Sequence, residues 1–172
     1  MLLTIDELNQ LNFQDFIGKT GNVIEHCPVL AGALWKQRPF QSFEDLTEKL
    51  RMIVHGLPLS LKEGILRVYP DLAGRLAKAG ELTGESLAEH AKAQLDQLSM
   101  EEEAILGLLN DQYKDKFGFP FVICARLNKK ETIIEGLKQR TNNPVDTEVQ
   151  LGIEEVMKIC ELRLKDIVDS KL

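Results

Sequence analysis

The sequence predicts an all-α fold, and three observations carry that prediction. Apolar residues recur at i, i+3 and i+4 through most of the chain, Ser, Thr, Asn and Asp stand where helices would begin, and no convincing strand pair appears. The 172 residues suit a compact single-domain helical bundle, with a core large enough to need no staples. No internal repeat, low-complexity stretch or linker interrupts it. Two places break the helical pattern: a kinked corner at Tyr69-Pro70 and an extended apolar segment, Phe119–Ala125.

Thr4-x-x-Glu7 is a capping box for a first short helix, and Asn12 caps a second with Phe13, Phe16 and Ile17 on one face. Pro28 opens a third, packing Val29, Leu30, Leu34 and Trp35 inward, which Arg38-Pro39-Phe40 stops. Ser42 caps a longer helix in which Phe43, Leu46, Leu50, Ile53 and Val54 follow the 3.6 period, ending at Gly56 and Pro58. His55, in its last turn, suits the carbonyl end of the helix and reads as structural, as does His26.

Ser60-x-x-Glu63 reads as another capping box. Its helix must end near Pro70, since proline disfavours αR at Tyr69 and donates no hydrogen bond. Asp71 can cap a short turn through Leu72 and Ala73 that Gly74 reverses. Such a corner suits a catalytic or ligand-binding side chain, and serves equally as a plain connection between core helices. Gly80 and Gly84 bracket a loop before a helix from Glu85 to about Leu98, with Leu87, Ala91, Leu95 and Leu98 as its buried stripe and Glu85, Lys92 and Asp96 toward solvent. Glu89 and His90 flank that stripe. Adjacent helix positions do not face each other, so they form no dyad by spacing; either could line a cleft, and Glu89 could as well stand in solvent near Lys78 or Lys92.

Ser99-x-x-Glu102 caps the next helix, with Ile105, Leu108, Leu109 and Tyr113 inward and Gly118 as its end. Phe119–Ala125 is continuously apolar, contains Pro120, and is too short for a buried helix. Its backbone groups need a strand, water or a ligand as partners. Lys129-Lys130 leads into a helix through Ile133, Ile134 and Leu137. After the turn Asn142-Asn143-Pro144, Asp146 caps the last helix, with Val149, Ile153, Val156, Ile159 or Cys160, and Leu164 or Ile167 inward. Arg163 lies between apolar neighbours and could pair with Asp166 at i, i+3.

Composition narrows the function. A net charge of −6 with no basic run opposes nucleic-acid binding. No apolar run approaches spanning length, and the acidic start is unlike a signal peptide, so neither membrane nor secretion is expected. Cys27, Cys124 and Cys160 form no CxxC and suit reduced thiols, and the three histidines show no metal-ligand spacing. The ending Ser170-Lys171-Leu172 is the tripeptide read by the peroxisomal import receptor, giving peroxisomal localisation after synthesis in the cytoplasm; its plain alternative is a chance end to an amphipathic helix.

Several motifs stand together and in order: Arg38-Pro39-Phe40, Glu63-Gly64-Ile65-Leu66-Arg67, Pro70-Asp71-Leu72-Ala73-Gly74, Leu82-Thr83-x-Glu85-Ser86-x-x-Glu89, Tyr113-x-x-Lys116-Phe117-Gly118-Phe119-Pro120-Phe121, and Glu155-Val156-x-Lys158-Ile159-x-x-Leu162-Arg163-Leu164. In these the chain resembles the 2-oxo-4-hydroxy-4-carboxy-5-ureidoimidazoline (OHCU) decarboxylase family of the urate-to-allantoin pathway. The resemblance implies one domain over residues 1–169 ahead of the targeting tripeptide 170–172. It further implies a cofactor-free, metal-free carboxy-lyase, a homodimer, that converts OHCU to (S)-allantoin. Substrate contacts would fall on Pro70, on Ser86, Leu87, Ala88, Glu89 and His90, on Phe121, Val122, Ile123, Cys124 and Ala125, and on Arg163, which would pair with the carboxylate. Glu89 matches the family's catalytic carboxylate. The family's corner begins His-Pro-Asp, the histidine being the proton donor, whereas this chain has Tyr69; the residue after the glutamate, a glutamine in the family, is His90. Three readings follow: Tyr69 donates the proton, His90 has taken over, or the fold binds the ligand with little turnover. A helical interaction module is the remaining alternative.

Overall fold

In the computed structural model, residues 2–72, 83–93, 95 and 98–170 are described, except for the side chains of Leu87, His90 and Lys92. Among them every regular element is helical, and the one β-type contact is an isolated parallel bridge between Leu3 and Val168. The chain divides into two compact units, Met1–Val68 with Met157–Leu172, and Tyr69–Val156.

The first unit holds α1 (Ile5–Gln10), α2 (Phe13–Thr20), α3 (Pro28–Trp35), α4 (Phe43–His55) and α5 (Leu59–Val68). Local chemistry sets their starts. Thr4 and Glu7 complete the capping box of α1, Asn12 caps α2, Pro28 sits in the first turn of α3, and Ser42 accepts from Asp45 N–H at the head of α4. Phe16, Leu30, Leu34, Phe43, Leu46, Leu50 and Val54 are buried. Phe13 and Val29 are not: both are exposed, and Phe13 lies edge-on to the half-buried Trp35 at 5.6 Å. Each stands at the outer edge of a short helix, where one turn cannot bury every apolar residue it carries. Arg38-Pro39-Phe40 closes this part: Asn9 and the Phe40 backbone exchange two hydrogen bonds of 2.8 Å, and Arg38 donates to the carbonyls of Asn9 and Leu11.

Ser60 does not cap α5. The helix starts at Leu59, two residues ahead of where a Ser60 cap would begin it, on the carbonyl of Pro58, and Glu63 pairs instead with Arg67 at 2.9 Å. It ends at Val68, ahead of Tyr69-Pro70. His26 and His55 are exposed.

The second unit holds α6 (Gly84–Lys92), α7 (Met100–Phe117), α8 (Lys130–Arg140) and the Val145–Val156 part of α9 (Val145–Lys165). Ser99 and Glu102 form the predicted capping box, and Gly118, at φ 75°, ends α7 in the left-handed conformation that glycine adopts without strain. The buried face of α7 differs from the sequence reading. Leu106, Asn110, Tyr113 and Phe117 point inward, while Ile105 and Leu108 are exposed, Leu108 at 61 %. Helix α6 ends at Lys92, short of Leu98; Ala91 is exposed, and Ser86, Glu89 and Ala93 take the inward side. Helix α9 starts at Val145, so Asp146 lies exposed in its first turn, where its charge complements the helix dipole without capping. Val149, Ile153, Val156, Ile159, Cys160 and Leu164 are buried as their spacing predicts.

Candidate functional site

The second unit contains every residue the sequence nominates except Arg163. At the corner Tyr69 is buried and Pro70 half-buried. Asp71 accepts a 2.8 Å hydrogen bond from Lys114 Nζ, which ties the corner to α7 and raises the pKa of that lysine. Leu72 is buried and helical, while Ala73 and Gly74, the rest of the expected turn, lie outside the described residues.

On α6 the inward face carries two polar side chains. Ser86 is fully buried and Glu89 is 6 % exposed, one helical turn apart, whereas Ala88 faces solvent. Ala91, expected in the buried stripe, is exposed, while Leu95 is buried as expected. The side chains of Leu87 and His90 lie outside the description. Helix α6 packs against the 3-10 turn Ala125–Leu127, so Ser86 and Glu89 share a neighbourhood with the apolar segment.

Phe121, Val122, Cys124 and Ala125 are buried and Ile123 is half-buried. Phe121–Cys124 has neither helical nor strand pairing, and a 3-10 turn begins at Ala125. Side chains take up part of its main chain: Arg140 Nη1 donates to Val122 C=O at 2.8 Å, Cys124 N–H donates to Glu155 Oε2 at 2.8 Å, and Asn128 Nδ2 donates to Cys124 C=O at 2.9 Å.

Behind the segment lies a charged cluster. Glu148, 0 % exposed, accepts from Tyr113 Oη at 2.5 Å, from Arg140 Nε at 2.6 Å and from Asn143 Nδ2 at 2.8 Å. The Arg140 guanidinium also lies 4.5 Å from the centre of the Phe121 ring. Burial first, and then its bond to Glu148, push the Tyr113 phenol far above its ordinary range, so it stays a donor.

Arg163 belongs to the first unit and is 3 % exposed. It pairs with the fully buried Glu25 at 2.7 Å and donates to Asn22 C=O at 2.9 Å. The i, i+3 partnership with Asp166 is therefore not its main anchor. His26 follows Glu25 at φ 49°, and Cys160 Sγ donates to Val23 C=O at 3.3 Å, so the loop before α3 is held to α9 at several points. Among the described residues no cluster of His, Cys, Asp or Glu could hold a metal ion.

The sequence reading does not single out Glu25, Arg140 or Glu148, and it contains Glu155 only as part of a motif, with no role of its own. A signal existed for Glu148, an acid beside Val149 on the apolar stripe of α9. Glu25, directly after Val23-Ile24, is similar. Asn110 is also fully buried, and neither of its side-chain polar atoms has a hydrogen-bond partner among the described residues.

A family model described as OHCU decarboxylase matches residues 9–165. The chain is 48 % identical to the 2-oxo-4-hydroxy-4-carboxy-5-ureidoimidazoline decarboxylase of Amia calva, over 94 % of this chain and 93 % of the relative. It is 46 % identical to that of Xenopus laevis, over 96 % and 94 %. A crystal structure of (S)-allantoin synthase superposes with a TM-score of 0.79 at 23 % identity, covering 97 % of this chain and 54 % of that one, and so shares the fold. An OHCU decarboxylase crystallised in the presence of (S)-allantoin gives 0.66, also at 23 % identity, over 80 % and 89 %. Motifs, helical fold and relatives agree: the chain belongs to the OHCU decarboxylase family.

Proposed function

We propose that this chain is a carboxy-lyase that decarboxylates OHCU to (S)-allantoin in urate degradation, without a cofactor. One observation supports this most: α6 turns Ser86 and Glu89 inward and packs on the Ala125–Leu127 turn. Burying a carboxylate costs free energy unless partners compensate it, as Tyr113, Arg140 and Asn143 do for Glu148, and Glu89 stands where the family resemblance puts the catalytic carboxylate. Glu89 would accept a hydrogen bond from the hydroxyl on the carbon that loses carbon dioxide. As that carbon–carbon bond breaks, its electron pair must be delocalised into the ring system. A proton added to one face then gives a single enantiomer. Tyr69, buried at the corner, is the donor we assign, with His90 as its competitor. Arg163, which is paired with Glu25, is the cation that the family resemblance assigns to the substrate's carboxylate. The test is the rate at which freshly generated OHCU disappears: acceleration over the spontaneous rate supports the reading, and an unchanged rate contradicts it.

Tyr69 favours a second reading, ligand binding with little turnover, in which (S)-allantoin binds while OHCU decays at its spontaneous rate. We also propose a homodimer, for which the exposed Ile105 and Leu108 on α7 offer an apolar face; sedimentation as a monomer at micromolar concentration would refute it. Residues 1–169 would act as one domain, with Ser170-Lys171-Leu172 as the peroxisomal address. A fluorescent fusion that stays cytosolic would rule that address out.

A further inference from the structure

The segment Phe121–Cys124 is held along one edge. Arg140 occupies the carbonyl of Val122, Glu155 the amide of Cys124, and Asn128 together with Leu127 N–H the carbonyl of Cys124. Phe121 and Ile123 share a side: a Cβ placed on Gly136 of α8 would lie 3.8 Å from both side chains. That is the period of two of extended backbone, and Cys124, at φ −70° and ψ 92°, is itself extended. In such backbone the N–H and C=O of one residue face one edge and those of the next residue face the other. The Val122 carbonyl and both backbone groups of Cys124 are directed at protein partners. Ile123 therefore directs its N–H and C=O the opposite way, and neither has a hydrogen-bond partner among the described residues. A donor and an acceptor side by side on a braced edge match the adjacent N–H and C=O of a cyclic ureide.

We propose that Arg140 and Glu155 are positioning residues for this edge: each acts through the main chain of its neighbour to aim the N–H and C=O of Ile123 at the planar ring of the ligand. The inference rests on the functional reading above. Arg140 suits the role because it is itself fixed, by Glu148 at 2.6 Å and by the Phe121 face at 4.5 Å. Glu155 suits it because it reaches the segment from α9, so the segment is braced from two helices.

The test is (S)-allantoin affinity by calorimetry on the full chain, alongside OHCU turnover. Glu155→Ala and Arg140→Met are each expected to weaken (S)-allantoin binding about tenfold, the order of one charge-assisted hydrogen bond. Glu155→Gln keeps a side-chain oxygen for Cys124 N–H and is expected to stay within about threefold of the parent. Far-UV circular dichroism establishes folding, and the Glu155 pair decides alone if Arg140→Met does not fold. Parental affinity in folded Glu155→Ala overturns the proposal, as does a Glu155→Gln variant as weak as the alanine. A parent chain that neither binds (S)-allantoin nor consumes OHCU overturns the functional reading and this inference together. A turning-over parent with an unaffected Glu155→Ala overturns the inference alone.

Discussion

Tyr113→Phe isolates one oxygen inside the charged cluster of the second unit. The phenol donates at 2.5 Å to a Glu148 that is fully buried and also holds Arg140 and Asn143. A hydrogen bond to a charged acceptor contributes about 1.5–3 kcal/mol. At about 2–4 °C per kcal/mol for a chain of this length, the thermal midpoint should fall by roughly 3–12 °C. Glu148→Leu should cost more, about 3–5 kcal/mol, because it strands a guanidinium whose side chain is only 14 % exposed. The decisive step is the double variant. With the acceptor gone, the buried hydroxyl of Tyr113 has lost the partner for its proton and keeps only Arg140, so Tyr113→Phe should cost clearly less in the Glu148→Leu background than in the parent. Urea unfolding of the four proteins, followed by tryptophan fluorescence and circular dichroism, measures this coupling. Equal costs of Tyr113→Phe in both backgrounds would refute the view that the cluster is a single cooperative unit.

Tyr69→His, which restores the residue type the family resemblance implies at the corner, should raise turnover on the order of a hundredfold with little change in (S)-allantoin affinity. An unchanged rate would place the proton donor elsewhere. Acid should destabilise the fold at identifiable carboxylates. A hydrogen bond from Lys49 and then one from Gln41 N–H hold Asp45 below its reference value, and Ser99 N–H and then Lys130 do the same for Glu102. Depressed carboxylates contribute stability above their unfolded pKa and lose it as pH falls through the folded one, so the thermal midpoint should drop progressively below about pH 4.5. A midpoint that is flat from about pH 6 to about pH 3 would contradict this. Lys114 has the opposite sign: its pKa is raised by Asp71, so its contribution is complete below about pH 10.5 and lost as pH rises through the folded value. Lys114→Met should remove that alkaline dependence.

The helix starts were legible where the signal is local. Thr4, Asn12, Ser42 and Ser99 each place an oxygen within reach of an amide three residues on, which sequence alone specifies. Ser60 misled because Pro58 had already begun the helix, leaving the serine inside it. The faces of α7 were not legible. Apolar residues lie on both sides of that helix, and the buried side includes Asn110, so the 3.6 period is blurred. The region of α6 was legible only in part: Leu95 is buried as its spacing predicts, but Ala91 is exposed and the protein turns Ser86 and Glu89 inward. Such conflict between pattern and burial is expected at functional sites. The buried acids were invisible because their partners are remote: Tyr113 is 35 positions from Glu148, and Glu25 finds Arg163 near the far end of the chain.

The most direct test of the account is circular dichroism of freshly generated OHCU, alone, with the protein and with Glu89→Ala. With the parent chain, one allantoin enantiomer should appear faster than in the spontaneous reaction, and both rate and optical activity should fall to background in the variant. Racemic product at the spontaneous rate with the parent, or full activity in Glu89→Ala, would contradict it.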